Sequence, residues 1–347
     1  MSKKIIALLL CVVMALSIAA CGTTTPTDDG GDDAQKTYAI VPKSAGNPYN
    51  EKEVEGFKEI IEANGGKVVV SYPTEATADA QITCINSLIS QHVDSIAVAA
   101  NDANALQAVL TEAMQAGIKV SGLDSAVNKD SRQTFAQQAG IKEVAQALCD
   151  AVLEIAGGEG QWAIVSASSQ ATNQNAWIDA MKDLMASDDK YAKLELVDVQ
   201  YGDDEPIKST TVTQALLSNY PDLKVICAPT TVGIAAAAKV LQDQKSACKL
   251  TGLGLPSEMA AYIGEGDDFS CPYMFLWNPI DLGKLSAYIS MALVEGKITG
   301  AAGETFEAKD LGVTYTIVDA ADGGTEVILG QPFAFTPDNI EEWKVIY

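Results

Sequence analysis

Histidine and arginine are almost absent from this sequence. His92 is the only histidine and Arg132 the only arginine among 347 residues. Zinc centres and Ser-His-Asp sites depend on imidazole, so neither is expected in this chain. With a single guanidinium, a bidentate clamp on a phosphorylated ligand is not expected either. We therefore predict a protein with no metal and no cofactor.

Cysteines are also few, and their spacing is irregular. None of the seven forms a C-x-x-C pair. Cys84, Cys149 and Cys227 lie in apolar runs, where a free thiol behaves as a small buried hydrophobe. The set is typical of neither a disulfide framework nor a metal site.

Positive charge is scarce, since 23 Lys and Arg stand against 46 Asp and Glu, for a net charge of -23. Nucleic acid binding needs a basic face, so it is excluded. The chain is 48% hydrophobic, which excludes wholesale disorder and allows one long or two ordinary globular domains. A neutral or weakly charged small ligand fits this composition best.

The N-terminus predicts that the protein is exported from the cytoplasm. Lys3 and Lys4 precede the apolar stretch Ile5–Ala20, which is typical of a secretory signal. Ile18-Ala19-Ala20-Cys21 resembles the bacterial lipobox, in which the cysteine is acylated. An ordinary signal peptide with an incidental cysteine is the alternative. We expect a signal in residues 1–20, a flexible acidic tether in 21–36, and a protein lipid-anchored at Cys21 on the extracytoplasmic face of the membrane.

Short β-rich runs alternate with helical stretches from Tyr38 onward, which indicates β-α-β units and a parallel sheet. Two such series follow each other, so we predict an α/β fold with two doubly wound lobes and a cleft between them. The predicted strands are Tyr38–Val41, Lys67–Ser71, Ser95–Val98, Ile118–Gly122, Trp162–Ser166, Leu194–Gln200, Val225–Ala228 and Leu250–Leu253. One predicted helix starts near Tyr49. The other predicted helices cover Ala78–Gln91, Asn104–Ala116, Ile141–Ile155, Thr172–Met185, Ile207–Ser218 and Val232–Gln242.

Polar side chains follow several of these strands. Open parallel sheets bind ligands beyond the carboxyl ends of their strands. Lysine, carboxylate and amide groups gathered there can satisfy several hydroxyl groups at once, which favours a polyol ligand. The polar strand ends contain Lys43, Asn101, Asp102, Asp124, Asn173, Gln174, Thr231 and Glu258.

Motifs around these strand ends also resemble those of a known family. They are Val41-Pro42-Lys43, Gly46-Asn47-Pro48-Tyr49, Ala99-Ala100-Asn101-Asp102, Ala171-Thr172-Asn173-Gln174-Asn175-Ala176-Trp177, Ala228-Pro229-Thr230-Thr231-Val232-Gly233 and Leu276-Trp277-Asn278-Pro279. Together they resemble the sugar-type periplasmic binding proteins of ABC importers, in the branch that contains rhamnose-binding proteins and autoinducer-2 receptors. The resemblance implies the type I fold, with two lobes joined by three crossovers that close around a ligand.

The resemblance also implies which residues bind. Lys43 and Asp124 would come from lobe one, and Asn173, Gln174, Pro229 and Thr231 from lobe two. Pro229 would contribute its carbonyl. Structural alternatives exist for the others, because Lys43 can be a solvated lysine and Asp124, Asn173, Gln174 and Thr231 can cap turns or helices. Trp277 would place an aromatic face on the sugar ring or pack in the hinge. Rim candidates are Tyr49, Asn101 and Glu258.

Asn173 and Thr231 help to predict which ligand the protein binds. Autoinducer-2 receptors usually have an acid where Asn173 stands and an alanine where Thr231 stands, whereas rhamnose-type members resemble this chain. Gln137 replaces an asparagine of many relatives. We therefore expect a monomeric receptor that delivers a rhamnose-like monosaccharide to an ABC permease and is not an enzyme.

Other functions remain open at this point. The first is an autoinducer-2 receptor, and the second is a sensor subunit that reports the ligand to a signalling partner. The third is a surface carbohydrate-active enzyme that uses Asp102 and Asp124 as a carboxylate pair. For the fold, we expect residues 37–139 and 278–312 in lobe one, and 140–277 and 313–347 in lobe two.

Overall fold

The computed structural model describes residues 35–347, so the predicted signal segment, Cys21 and nearly all of the tether lie outside the described residues. Most predicted elements are present, with ends that differ by a few residues at most. The helices are α1 Pro48–Ala63, α2 Ala78–Ser90, α3 Gln107–Gln115, α4 Ile141–Ile155, α5 Thr172–Ser187, α6 Pro206–Asn219, α7 Thr231–Asp243, α8 Pro256–Met259, α9 Pro279–Val294 and α10 Ile340–Trp343.

The strands of residues 35–347 build two main sheets and two small sheets of two strands each. They are β1 Thr37–Val41, β2 Lys67–Val70, β3 Ser95–Val98, β4 Lys119–Leu123, β5 Thr134–Ala139, β6 Gly160–Ser166, β7 Leu194–Tyr201, β8 Leu223–Ala228, β9 Lys249–Gly252, β10 Met274–Leu276, β11 Thr305–Ala308, β12 Val313–Thr316, β13 Val318–Asp319, β14 Thr325–Gly330 and β15 Phe333–Phe335. The first sheet has the order β13-β14-β5-β4-β3-β1-β2, and the second has the order β7-β6-β8-β9. Only β13 runs antiparallel to its neighbour in these two sheets.

Each face of the first sheet is covered by helices, as a doubly wound fold requires. Helices α1 and α9 pack against each other and cover one face. Helices α2 and α3 bury their apolar stripes against the other face. Asn47 starts α1, because its side chain accepts a hydrogen bond from the backbone N–H of Tyr49 and Pro48 follows it at the first helical position.

Strands β13 and β14 belong to the first sheet, which corrects the expected placement of all of residues 313–347 in lobe two. Strand β14 pairs in parallel with β5 in the first sheet, with Val327 opposite Ala136. Strand β15 instead pairs antiparallel with β10, with Met274 opposite Phe335. The chain therefore still contributes to the first sheet at Gly330, and β15 follows in the small sheet that it forms with β10.

Among residues 35–347, no helix combines the length and the apolar character that a membrane span requires. No three histidine, cysteine or acidic side chains of this part of the chain are grouped so that they could hold a metal ion.

Candidate functional site

A polar cavity lies at the carboxyl ends of the strands of both sheets. It brings together eight of the residues predicted from the sequence, which are Lys43, Tyr49, Asp124, Asn173, Gln174, Pro229, Thr231 and Trp277. Lys43 and Asp124 follow β1 and β4 of the first sheet, whereas Asn173 and Gln174 form the first turn of α5, next to the second sheet. The cavity is therefore lined from both lobes.

Lys43 joins the two lobes directly. Its Nζ donates a hydrogen bond to Asn173 Oδ1 at 2.8 Å and to Gln174 Oε1 at 3.4 Å. The same Nζ lies 3.7 Å from Asp124 Oδ2. Only 7% of Lys43 is exposed, so the alternative of a solvated lysine is wrong. A buried ammonium group needs partners of this kind, because burial without them is costly.

Asp124 accepts hydrogen bonds on both of its carboxylate oxygens. The Tyr49 hydroxyl donates to Oδ1 at 3.0 Å, and Asn173 Nδ2 donates to Oδ2 at 3.3 Å. Burial raises the pKa of the Asp124 carboxyl, while Lys43 and the Tyr49 hydroxyl act in the opposite direction. Asp124 has a φ of 56°, a left-handed conformation that aspartate tolerates better than most residues and that turns its side chain into the site.

Two aromatic residues complete this network. Trp277 Nε1 donates to the Tyr49 hydroxyl at 2.6 Å, and the two rings meet edge to face. Trp277 also lies against Trp177, with 5.6 Å between ring centroids. Burial and the nearby Asp124 carboxylate raise the pKa of Tyr49 well above its usual value, so the hydroxyl stays protonated and can donate. Trp277 thus both lines the cavity and packs against its neighbours.

Sequence reasoning missed Asp204, which lines the same cavity. The Thr230 hydroxyl donates a hydrogen bond to its carboxylate, and burial raises the pKa of that carboxyl. The residue follows β7 and has a φ of 53°. The signal was Gly202-Asp203-Asp204 directly after a predicted strand, the same kind of polar strand end that pointed to Asp124.

Three other candidates lie outside the cavity lining. Asn101 Nδ2 donates to the backbone carbonyl of Lys43 at 2.8 Å and so holds the loop that carries the lysine. Asp102 accepts from the backbone N–H groups of Asn104 and Ala105, which makes it a turn cap. Glu258 lies in the short helix α8.

The chemistry offered here is reversible recognition of hydroxyl groups. The cavity measures about 30 Å³, because the lining side chains contact one another directly. Asp124 can accept a hydrogen bond from a hydroxyl group, and Lys43, Asn173 and Gln174 can each donate one. Hydrogen bonds to charged groups are the strong ones, so a site of this kind favours a polyol.

Comparison with known proteins identifies a matching family and several similar solved structures. Residues 38–298 match a family described as periplasmic binding protein domain. An ABC transporter solute-binding protein from Clostridium phytofermentas, solved with bound L-rhamnose, is 61% identical with a TM-score of 0.89 and covers 90% of this chain and 99% of its own.

Two further solved structures are similar. A sugar ABC transporter protein from Actinomyces odontolyticus is 40% identical with a TM-score of 0.71, covering 89% of this chain and 97% of its own. LsrB from Clostridium saccharobutylicum in complex with AI-2 is 22% identical with a TM-score of 0.81, covering 88% of this chain and 99% of its own. That identity speaks for a shared fold alone.

Proposed function

This chain belongs to the periplasmic binding protein family, and on that premise we propose that it captures L-rhamnose or a closely related deoxyhexose and delivers it to an ABC permease. Members of the family bind sugars for ABC transporters, and the chain is a binding protein, not an enzyme. The observation that carries the choice of ligand is the polar cavity between the lobes, in a chain 61% identical to a protein solved with L-rhamnose.

The walls of the cavity suit a sugar that has both hydroxyl groups and an apolar side. Lys43, Asp124, Asn173 and Asp204 supply charged and amide groups for the hydroxyls. Trp177 and Trp277 supply aromatic faces on which C–H groups and a methyl substituent can pack. A 6-deoxy sugar presents both kinds of surface on one small ring.

Binding from both lobes couples ligand capture to closure of the cleft. Lys43 follows a strand of the first sheet, and its partners Asn173 and Gln174 stand on α5 beside the second. A sugar held between them links the lobes through its own hydroxyl groups and favours the closed form. The permease then recognises the loaded receptor by its closed shape.

We also propose that the mature protein is a monomer, lipid-anchored through Cys21 on the extracytoplasmic face of the membrane. The basic, apolar and small-residue order of residues 1–21 supports this. After cleavage the chain has 21 basic and 46 acidic residues, which is a net charge of -25. An anionic membrane surface therefore repels the acidic tether. Labelling of cells with a radioactive fatty acid should mark the wild type and leave Cys21→Ala unlabelled.

Thermal unfolding of the purified protein tests which ligand it binds. L-Rhamnose, other monosaccharides and autoinducer-2 are each added separately. At about 100 times the dissociation constant, binding stabilises the folded state by about 2.7 kcal/mol and raises the melting temperature by several degrees. We expect the largest shift with L-rhamnose. A selective shift with autoinducer-2 would make the protein a signal receptor, and no shift with any of these ligands at millimolar concentration would contradict the proposal.

A further inference from the structure

A second and larger cavity adjoins the polar one. It encloses about 370 Å³, which lies within the range of small-molecule binding sites. Asp124, Asn173 and Trp177 stand on the walls of both cavities. The second cavity is also lined from both lobes, with Phe135 of β5 on one side and Ala176 of α5 on the other.

The walls of this second cavity are mainly apolar, unlike those of the first. Its apolar lining residues include Ala126, Val127, Phe135, Ile141, Ala176 and Ala321. Polar and charged side chains, among them Lys129, Asp130 and Glu326, stand on the same walls. The apolar part of the lining favours a flat apolar group, which gains from leaving water there.

Two residues of these walls, Arg132 and Trp177, each have a buried donor nitrogen. Within the described residues, neither Arg132 Nε nor Trp177 Nε1 has a hydrogen-bond partner. The Arg132 side chain is only 1% exposed, and its other nitrogens donate to the Val127 carbonyl and pair with Asp322. Both nitrogens have almost no accessible surface, so they do not select what occupies the cavity.

The contact between Asp124 and Asn173 lies where the two cavities meet. It consists of the hydrogen bond from Asn173 Nδ2 to Asp124 Oδ2 at 3.3 Å. A sugar in the polar cavity offers its own hydroxyl groups to these two side chains. The bond between them is then free to open, and a substituent on the sugar can extend into the second cavity.

We infer that the site accepts aryl glycosides, with the sugar in the polar cavity and the aromatic group in the second cavity beside Phe135 and Trp177. This inference rests on the proposed function and extends it from free monosaccharides to sugars that carry an aromatic aglycone.

Calorimetric titration with three ligands tests the inference. The ligands are L-rhamnose, methyl α-L-rhamnopyranoside and 4-nitrophenyl α-L-rhamnopyranoside. We expect the nitrophenyl glycoside to bind about tenfold more tightly than the methyl glycoside, because burial of one aromatic ring contributes at least this much. 4-Nitrophenol alone should bind much more weakly, since the sugar supplies the polar contacts.

Filling the cavity should remove this gain selectively. Ala321 is an exposed residue on the cavity wall, so Ala321→Phe can place a ring in the cavity without disturbing the core. We expect it to reduce nitrophenyl glycoside binding to the level of the methyl glycoside and to change L-rhamnose binding less than about twofold. Ala126→Leu fills the same cavity from the β4 side. Ala302→Phe, on an exposed turn, is the matched control and should change none of the three affinities.

The outcomes separate this inference from the proposed function. If L-rhamnose binds but the nitrophenyl glycoside binds no more tightly than the methyl glycoside, the inference is overturned and the proposed function stands. A gain in affinity that survives both Ala321→Phe and Ala126→Leu also overturns it, as does equally tight binding of 4-nitrophenol alone. If none of the sugars binds, the proposed function itself fails.

Discussion

The Tyr49 hydroxyl connects Trp277 to Asp124 in the polar cavity. It accepts from Trp277, which lies 228 positions away in the chain, and donates to Asp124. Sequence reasoning placed Tyr49 only at the rim, because nothing local in Gly46-Asn47-Pro48-Tyr49 shows that a distant indole will meet its hydroxyl. The fold alone brings the two together.

Removal of this hydroxyl should weaken ligand binding, because two groups of the cavity wall lose their partner. In Tyr49→Phe, Trp277 Nε1 loses its acceptor and Asp124 Oδ1 loses a donor, and each buried unpaired group costs about 1–3 kcal/mol. We expect the affinity for L-rhamnose to fall about tenfold or more, measured by calorimetric titration. Tyr220→Phe removes a hydroxyl outside the cavity, where it contacts the Val197 carbonyl, and should leave the affinity unchanged. Equal losses in both variants would contradict this role.

Glu53 is a fully buried carboxyl near the site. Burial, with a further contribution from the Asp124 charge, raises its pKa well above the ordinary value of 4.5. A carboxyl whose pKa is higher in the folded state binds more protons there than in the unfolded chain. Its contribution to stability is therefore fully present below pH 4.5 and is lost as the pH rises towards the folded pKa.

Glu53→Gln should for this reason flatten the loss of stability with rising pH. Relative to the wild type, we expect a higher melting temperature at neutral pH and a smaller difference at pH 4, followed by thermal unfolding across that range. Glu55→Gln, on the same helix but with its side chain more than half exposed, is the control and should follow the wild type. Parallel profiles for Glu53→Gln and the wild type would show that Glu53 does not carry this pH dependence.

The sequence predicted many of the residues that line the polar cavity, for reasons that differ between residues. Lys43, Asp124 and Asn173 stand at polar strand ends and in motifs that resemble a known family, and the structure brings them into contact. Asp204 stands at a strand end too but was overlooked. Asn101 was expected near the ligand and instead holds the Lys43 loop, a difference that depends on side-chain direction and not on position in the chain.

At the scale of elements, local periodicity was sufficient for most helices and strands. Helix α4 covers Ile141–Ile155 as predicted, because its apolar stripe repeats regularly. Strand β5 was not predicted, since Thr134–Ala139 mixes two glutamines with apolar residues yet is entirely buried. The pairing of β14 with β5 joins segments far apart in sequence, which local patterns do not encode.

Helices α1 and α9 approach each other closely through two glycines. A Cβ atom on Gly283 would lie 2.0 Å from the Glu53 carbonyl oxygen, and one on Gly56 would lie 1.9 Å from the Ile280 carbonyl oxygen. Both obstacles are backbone atoms, which cannot turn aside as a flexible side chain can. This contact sets the distance between α9 and the helix that carries Tyr49.

Gly283→Ala should therefore destabilise the protein, although alanine favours a helix over glycine by about 1 kcal/mol. The forced shift of two packed helices costs about 1–3 kcal/mol or more and outweighs that gain. Urea unfolding should show a lower midpoint for Gly283→Ala. Asn86→Ala, at an exposed helical position, should leave the midpoint unchanged or raise it slightly. A higher midpoint for Gly283→Ala would refute the close contact.

The whole molecule works as two lobes whose facing surfaces share one buried lysine. Lys43 binds Asn173 and Gln174 directly in this closed arrangement, so a sugar can enter only from an open form in which these bonds are broken. We expect the open form to predominate without sugar, and L-rhamnose to shift the population towards the closed form and to lower the radius of gyration measured by small-angle X-ray scattering. An unchanged radius at saturating sugar would contradict closure on binding.

The central claim is that a sugar binds between the lobes through Lys43, and calorimetric titration of L-rhamnose tests it most directly. Wild-type protein should bind one molecule of L-rhamnose, whereas Lys43→Met keeps the length of the side chain, removes its charge and should bind about 10- to 100-fold more weakly. The control is Lys36→Met, whose ammonium group pairs with Asp94 on the surface and should not affect binding. Absence of L-rhamnose binding to the wild type, or unchanged binding by Lys43→Met, would contradict the account.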